Sequence, residues 1–387
     1  MEEWKEYRLG DIAVVTMGQS PNSSYYNNVG DGVPFLQGNR TFGMKYPTFD
    51  TFTTSATKYA EGNDVIMSVR APVGDVNITP IRMCLGRGLC GLRLNNGNQE
   101  FLYYLMRYYA NNLINKESGT VFGSINRNDI ANLIVRVPSF ELQKKIAYIL
   151  SSFDDKIEVN QRINDNLEQQ ATALFKYWFV DFGPFKDGEF EESVLGMIPK
   201  GWRVGKLLDV ANITMGTSPV GSSYNVTGEG DVFYQGRAEF GFRFPKRNMY
   251  TTEAKRFADI DSVLLSVRAP VGDINVADER CCIGRGLASI QSRDGNNSYI
   301  LYLMKSLYPQ FEKYNSEGTV FGCINKKALE QLAVVTPPNE TISRFDKICS
   351  EIDGQIKILD QETRRLATLR DTLLPRLMSG KLKVNEL

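Results

Sequence analysis

The segment SVRAPVGDVNI (residues 68–78) returns almost unchanged as SVRAPVGDINV (residues 266–276), 198 residues further along the chain. A chance match of this length is improbable, and three other segment pairs keep the same offset: TMGQSP and TMGTSP from Thr16 and Thr214, QGNRTFG and QGRAEFG from Gln37 and Gln235, and GRGL from Gly86 and Gly284. One insertion then changes the offset to 199, so that GTVFGSIN (residues 119–126) matches GTVFGCIN (residues 318–325). The chain is therefore a tandem duplication of a segment about half its length.

The composition is that of an ordinary globular protein, with 42% hydrophobic and 23% charged residues among 387. No apolar run approaches the roughly 20 residues of a membrane span, and the opening segment MEEWKEYRLG lacks the pattern of a secretory signal. We therefore expect a cytoplasmic chain that does not enter a membrane. The cysteines show no C-x-x-C spacing, which favours free and mostly buried thiols over a disulfide framework.

Histidine is absent from the sequence, which excludes Ser-His-Asp and Cys-His catalysis and every zinc site that uses histidine. GRGLCG (residues 86–91) matches the glycine pattern of dinucleotide-binding folds, but that pattern requires an acid about 20 residues further on. Asn111 and Asn112 lie at that distance, and the second copy replaces the third glycine by Ser289. The sequence thus predicts no catalytic site and no metal site, and an enzyme is the least favoured class.

Each half changes character near its end. Short β-forming runs broken by Gly, Asn and Pro, with one amphipathic helix at residues 99–116, indicate a mixed α/β domain. An amphipathic pattern of helical period follows each domain. The predicted organisation is a first domain at 1–138, a central long helix at 139–180, a linker at 181–201, a second domain at 202–338 and a C-terminal long helix at 339–380.

In the central helix the stripe residues recur from Leu142 to Trp178 in ten steps that cover 36 residues, a mean period of 3.6. The second copy repeats this pattern from Ile342 to Leu377. A helix of 36 residues is about 54 Å long, and its simplest partner is the other long helix, paired antiparallel in a coiled-coil-like rod whose seam is mainly apolar. The alternative is that each helix packs only on its own domain.

With these elements in place, the whole chain resembles the DNA-specificity subunit of type I restriction-modification enzymes. The resemblance rests on the helix start P-x-x-x-x-Q-x-x-I-A-x-I-L (residues 138–150), on IPKGW (residues 198–202), and on the SVRAPVGD and GRGL elements. One departure is Ile342, at a position of the second helix where the family usually has glutamine.

The resemblance implies a non-catalytic protein that binds double-stranded DNA. Each target-recognition domain would read one half of a bipartite site, and the helices would set the unread spacer and bind two methyltransferase (modification) subunits. S-adenosylmethionine would be bound by these subunits, and ATP and Mg²⁺ would come with restriction subunits, so that no cofactor is expected on this chain. Lys and Arg number 45, as do Asp and Glu, so that the isolated chain should bind DNA only modestly.

The duplication also separates scaffold from readout. Residues shared by both copies are expected to fix common turns, whereas Arg70 and Arg87 with their counterparts could bind phosphate, read a guanine edge or brace a loop. Positions that differ inside a shared frame are better candidates for half-site discrimination, although a solvated loop without a DNA role remains open. The predicted DNA-binding residues are Ser20, Asn22, Tyr25, Gln37, Asn39, Arg40, Thr41, Arg70, Arg87, Ser218, Tyr224, Gln235, Arg237, Glu239, Arg268 and Arg285.

The expected target has two halves that are related but unequal when read on opposite strands, with centres about 10 base pairs apart. The alternative function is a stand-alone DNA-binding or decoy protein of the same fold without partner subunits. The length of both helices favours the specificity subunit, because a chain without partners has no need for two full apolar stripes.

Overall fold

The computed structural model describes residues 4–114, 123–316 and 322–384. The chain forms two compact units, one made of Met1–Gln161 with Asp360–Leu387 and the other of Arg162–Leu359. Each unit contains one copy of the repeated domain together with about half of each long helix. The repeated GTVF segments, residues 119–122 and 318–321, lie outside the described residues.

The domain of the first unit is a mixed α/β fold. Its elements are β1 (Lys5–Arg8), α1 (Leu9–Ile12), β2 (Ala13–Met17), β3 (Tyr26–Asn27), β4 (Val33–Leu36), β5 (Phe52–Thr53), β6 (Tyr59–Ala60), β7 (Val65–Ser68), β8 (Val76–Ile78), β9 (Met83–Leu85), β10 (Leu89–Leu94), α2 (Gln99–Ile114), α3 (Arg127–Ala131) and β11 (Ile134–Val137). Strands β2, β10, β7 and β8 form one antiparallel sheet in that order, and β3, β5, β4, β9 and β6 form a second sheet with one parallel pair, β4 with β9. Strand β1 pairs with β11, which brings the start of the chain beside the end of the domain.

The domain of the second unit repeats this strand order in both sheets. It differs where α2 has two counterparts, α6 (Asn297–Ser306) and α7 (Tyr308–Ser316), which are separated by Leu307. Pro309 explains the break, because a residue without a backbone N–H fits the first turn of a helix but not its interior. The elements are β14 (Arg203–Lys206), α5 (Leu207–Val210), β15 (Ala211–Met215), β16 (Tyr224–Asn225), β17 (Asp231–Tyr234), β18 (Tyr250–Thr251), β19 (Phe257–Ala258), β20 (Val263–Ser266), β21 (Ile274–Val276), β22 (Cys281–Ile283), β23 (Leu287–Ser292), α6 (Asn297–Ser306), α7 (Tyr308–Ser316), α8 (Lys326–Glu330) and β24 (Ala333–Thr336).

The two long helices, α4 (Phe140–Phe179) and α9 (Asn339–Met378), have 40 residues each. In the first unit the start of α4 and the end of α9 pack on one core, for example through Leu150 and Leu377. In the second unit the end of α4 and the start of α9 do the same through Phe179 and Phe345, whose ring centroids are 5.0 Å apart. Antiparallel pairing of the helices is thereby confirmed within each unit, and each helix packs on a domain as well as on its partner.

The middle of the helical seam is more polar than the mainly apolar seam expected from the sequence, and Asn160 and Asn164, which belong to the stripe between Leu142 and Trp178, account for this. Asn160 and Asn164 are buried there, whereas Leu167 and Leu366 are only half-buried. In the first unit the Asn160 amide donates to Glu362 Oε2 at 2.8 Å, and in the second the Asn164 amide donates to the Ile356 carbonyl at 3.5 Å. Hydrogen bonds therefore hold this part of the seam, and buried asparagines of this kind fix the register of paired helices.

The segment predicted as a linker, residues 181–201, contains a hairpin of β12 (Phe190–Ser193) and β13 (Gly196–Pro199). Phe182 and Phe185 pack against Trp202 with ring centroids 5.5 and 4.9 Å away. The chain between α4 and the second domain is therefore folded, with a hairpin and a cluster of aromatic rings.

The six cysteines are free, as predicted, and all are buried except Cys323. In the described ranges no group of three or more Cys, Asp or Glu side chains could hold a metal ion. None of the helices within those ranges combines the length and the apolar character that crossing a membrane requires.

Candidate nucleic-acid interface

Three loops of the first domain meet beside the C-terminal end of β4. Ser20, in the loop after β2, donates from Oγ to Gln37 Oε1 at 2.8 Å and accepts the Arg87 backbone N–H at 3.1 Å. The Gly88 N–H donates to the Gln37 carbonyl at 3.0 Å. These contacts bring together residues from positions far apart in the sequence, and we call this surface the Ser–Gln cradle (Ser20, Gln37 and Arg87).

The GRGL glycines allow this close approach. A Cβ on Gly86 would lie 2.6 Å from Gln37 Cα, and one on Gly88 would lie 2.5 Å from the Gln37 carbonyl oxygen. Strand β10 begins directly afterwards at Leu89, so that no helix starts at these glycines. The match to the dinucleotide-binding pattern is therefore coincidental, and the glycines allow the backbone of Gln37 to pack closely against them.

The second domain has the same cradle, formed by Ser218, Gln235 and Arg285. Gln235 Nε2 donates to Ser218 Oγ at 3.1 Å, and Ser218 Oγ accepts the Arg285 N–H at 3.2 Å. A Cβ on Gly286 would lie 2.8 Å from the Gln235 carbonyl oxygen. The duplication has thus preserved a surface as well as a core.

A tyrosine supports each cradle from one side. Tyr26 packs on Phe35 with ring centroids 4.6 Å apart, and Tyr224 packs on Phe233 at 4.9 Å. The sequence prediction named Tyr224 in the second domain but Tyr25 in the first, and the Tyr25 side chain is exposed. Adding the repeat offset of 198 to position 26 gives position 224, so that the sequence already contained the signal for Tyr26.

The cradle of the first domain lines an open cavity of about 540 Å³, which also includes Tyr26, Phe35 and Arg40. Asn22, another predicted residue, caps the short turn Ser23–Tyr25 by accepting the Ser24 N–H at 3.1 Å. Its position at the edge of the cradle is thereby explained by local backbone geometry.

The four predicted arginines, Arg70, Arg87, Arg268 and Arg285, are exposed. Backbone pairing of Val69 with Gly88 at 2.9 Å places Arg70 beside Arg87. In the second domain, Arg268 and Arg285 line one groove of about 380 Å³ together with Lys326. Among the described residues, none of these four arginine side chains contacts a carboxylate. Each domain therefore presents unpaired positive charge at its cradle, which suits a phosphate backbone or a base edge.

The loop after β4 carries the residues that differ between the domains. Arg40 holds Asp50 through two hydrogen bonds of 2.7 and 2.8 Å, which lower the pKa of the Asp50 carboxyl. The second domain has Ala238 at the position of Arg40, so that this ion pair has no equivalent there. One position earlier, Asn39 donates to Asp75, and Arg237 forms an ion pair with Asp273.

The third position of this loop has a buried oxygen atom without a hydrogen-bond partner in either domain, as far as the described residues show. The atoms are Thr41 Oγ1 in the first domain and Glu239 Oε2 in the second. Burial also raises the pKa of Glu239. A buried acceptor without a partner requires a donor from water or from a ligand, and cytosine N4 and adenine N6 are donors of this kind in the major groove. DNA contacts by any of these residues stay a prediction.

Comparison with known proteins agrees with these features. Residues 1–169 and 199–367 each match the model of the type I restriction modification DNA specificity domain, and the chain belongs to this family. The chain is similar to the MjaX type I restriction enzyme specificity subunit of Methanocaldococcus jannaschii, with 36% identity over 77% of this chain and 72% of the relative. It is also similar to the HindI specificity subunit of Haemophilus influenzae, with 24% identity over 99% of this chain and the full length of the relative.

The fold is shared with a solved structure, the type I restriction-modification S subunit from M. genitalium. The TM-score is 0.64 at 15% identity, and the match covers 97% of this chain and 96% of the other. Membership of this family confirms the prediction of a non-catalytic specificity protein, because the matched relatives are named as specificity subunits.

Proposed function

We propose that this chain is the DNA-recognition component of a type I restriction-modification complex in the cytoplasm, with each domain reading one half of a bipartite double-stranded DNA site. The main support is the preserved cradle, because a Ser–Gln hydrogen bond beside an exposed arginine occurs in both domains, next to a loop that differs between them. Two related but unequal half-sites require two domains with the same backbone arrangement and different side chains in the loop that reads the bases.

The long helices set the number of unread base pairs between the half-sites and dock two modification subunits. The exposed side chains on α4 and α9 give these subunits a surface, for example at Tyr148, which is 75% exposed, and at Ile358, which is 58% exposed. S-adenosylmethionine is bound by the modification subunits, and ATP and Mg²⁺ by restriction subunits. The neutral net charge of the chain agrees with phosphate contacts shared among subunits.

A binding selection tests this proposal. The chain is purified with its co-expressed modification subunits, mixed with a library of randomised duplexes, and the retained DNA is sequenced. We expect a motif of two specified segments separated by unspecified positions. A chain that retains its subunits but selects no sequence, or that selects one contiguous segment, would contradict the proposal. A chain that selects the bipartite motif but never retains the subunits would be the stand-alone DNA-binding protein instead.

A further inference from the structure

The repeated SVRAPVGD loop has the same hydrogen bonds in both domains. The Asp75 N–H donates to Ser68 Oγ at 2.9 Å, and the Asp273 N–H donates to Ser266 Oγ at 2.9 Å. Gly74 and Gly272 have φ values of +93° and +109°, a region that side-chain-bearing residues rarely adopt. The backbone of each aspartate is therefore held in the same way on both domains.

The carboxylate of this loop contacts a residue that is not shared. Asp75 Oδ2 accepts from Asn39 Nδ2 at 2.5 Å, whereas Asp273 Oδ2 accepts from Arg237 Nη1. Positions 39 and 237 correspond at the offset of 198. One fixed acceptor thus holds an amide in the first domain and a guanidinium in the second.

The atoms that this contact leaves free differ in chemistry. Among the described residues, the Asn39 side chain makes no hydrogen bond other than the one to Asp75. Its Oδ1 and the second N–H of Nδ2 are an acceptor and a donor, which match N6 and N7 of adenine. In the part of the chain that the structure describes, the Arg237 side chain bonds through Nη1 alone, so that its Nε and Nη2 donors form a free fork that matches O6 and N7 of guanine. Arg237 is 50% exposed, so that this fork is accessible to a ligand.

We propose that Asp75 and Asp273 are positioning residues that orient the reading edge of residues 39 and 237, with adenine read by Asn39 and guanine by Arg237 at matched places in the two half-sites. This inference rests on the proposed function and adds to it the base class and the residues that set it. Because the aspartate is fixed, one substitution at position 39 or 237 changes which base is read and leaves the rest of the domain unchanged.

A transplant experiment tests the inference in the complex with modification subunits, by the same binding selection. Asn39→Arg should change the preference at one position of the first half-site from adenine to guanine, by roughly 5- to 150-fold, the range that corresponds to one bidentate contact. The second half-site should be unchanged and reports in the same molecule that the variant is folded. Arg237→Asn should give the reciprocal change, and Asn111→Arg, which adds the same charge at an exposed position of α2, should change neither half-site.

The role of the aspartate is tested by Asn39→Arg with Asp75→Ala. We expect this double variant to lose most of the new guanine preference, because no carboxylate orients the new arginine. Equal guanine preference with and without Asp75 would overturn the positioning role, and an unchanged motif in Asn39→Arg would overturn the reading role. A wild-type complex without any bipartite preference would overturn the proposed function and the inference together.

Discussion

Asp154 and Arg370 form a buried ion pair between α4 and α9 in the first unit, with Arg370 Nη1 2.5 Å from Asp154 Oδ1. Asp154 is 1% exposed, and its other oxygen accepts from the Tyr104 hydroxyl at 2.5 Å. Burial lowers the pKa of Arg370, but its hydrogen bonds with Asp371 and Asp154 outweigh this and hold the pKa above its ordinary value. The pair therefore joins both helices to the domain core.

Removing the cation should strongly destabilise the first unit. Arg370→Met leaves Asp154 buried without a counter-charge, and we expect a loss of about 3 to 5 kcal/mol in the free energy of unfolding, measured by urea denaturation. Arg365→Met, an exposed residue of the same helix, is the control and should have little effect. Adding Asp154→Leu to Arg370→Met should recover most of the loss, and a double variant as unstable as the single one would show that charge burial is not the cause.

The glycines of the GRGL motif should be needed for the cradle. Gly88→Ala places a Cβ against the Gln37 carbonyl and should cost about 1 to 3 kcal/mol through overpacking, with weaker recognition of the first half-site alone. Gly38→Ala is the matched control for stability, because a Cβ there meets no atom within 4 Å. Equal losses of stability in the two variants would remove the packing explanation.

The cradle arginines should contact phosphate. We expect Arg87→Ala to weaken binding to all sequences and to lower the slope of log affinity against log salt concentration by about 1. Arg8→Ala, another exposed arginine of the first unit, is the control and should leave the slope unchanged. Loss of preference at a single base pair, with the slope preserved, would instead assign Arg87 to a guanine edge.

Thiol labelling checks the core of both units. Cys323 is the exposed cysteine, and burial raises the pKa of Cys90, Cys281 and Cys349 to about 12 in each case. A buried thiol that stays protonated reacts slowly. We expect one fast-reacting thiol in the native chain, none in Cys323→Ser, and six in the unfolded wild type. A second fast thiol in the native protein would show that one of these cores is open.

The sequence predicted the features that depend on order along the chain. The duplication, the long helices and their antiparallel pairing follow from the repeat offset and the helical period, and both of these are visible in the order of the residues. The same offset identified Ser20, Gln37 and Arg87 with their counterparts, and the structure brings these together.

The features that the sequence did not reveal depend on contacts between distant segments. Nothing near Asp154 in the sequence indicates that Arg370 neutralises it and that Tyr104 donates a hydrogen bond to it, so that a mainly apolar seam is the simpler prediction. Asp75 is identical in both copies and so belongs to the residues that are expected only to fix common turns. Its contact with Asn39 spans 36 residues and exists only in the folded domain. Its role as the acceptor beneath a variable residue follows from the geometry alone.

Methylation mapping tests the central claim most directly. DNA from cells that express this chain with its modification subunits is sequenced for methylated bases, beside DNA from cells that express the modification subunits alone. We expect a bipartite motif that depends on this chain, with related but unequal halves on opposite strands and centres about 10 base pairs apart. A methylated target that is contiguous, or a pattern that is the same without this chain, would contradict two-domain recognition of split DNA.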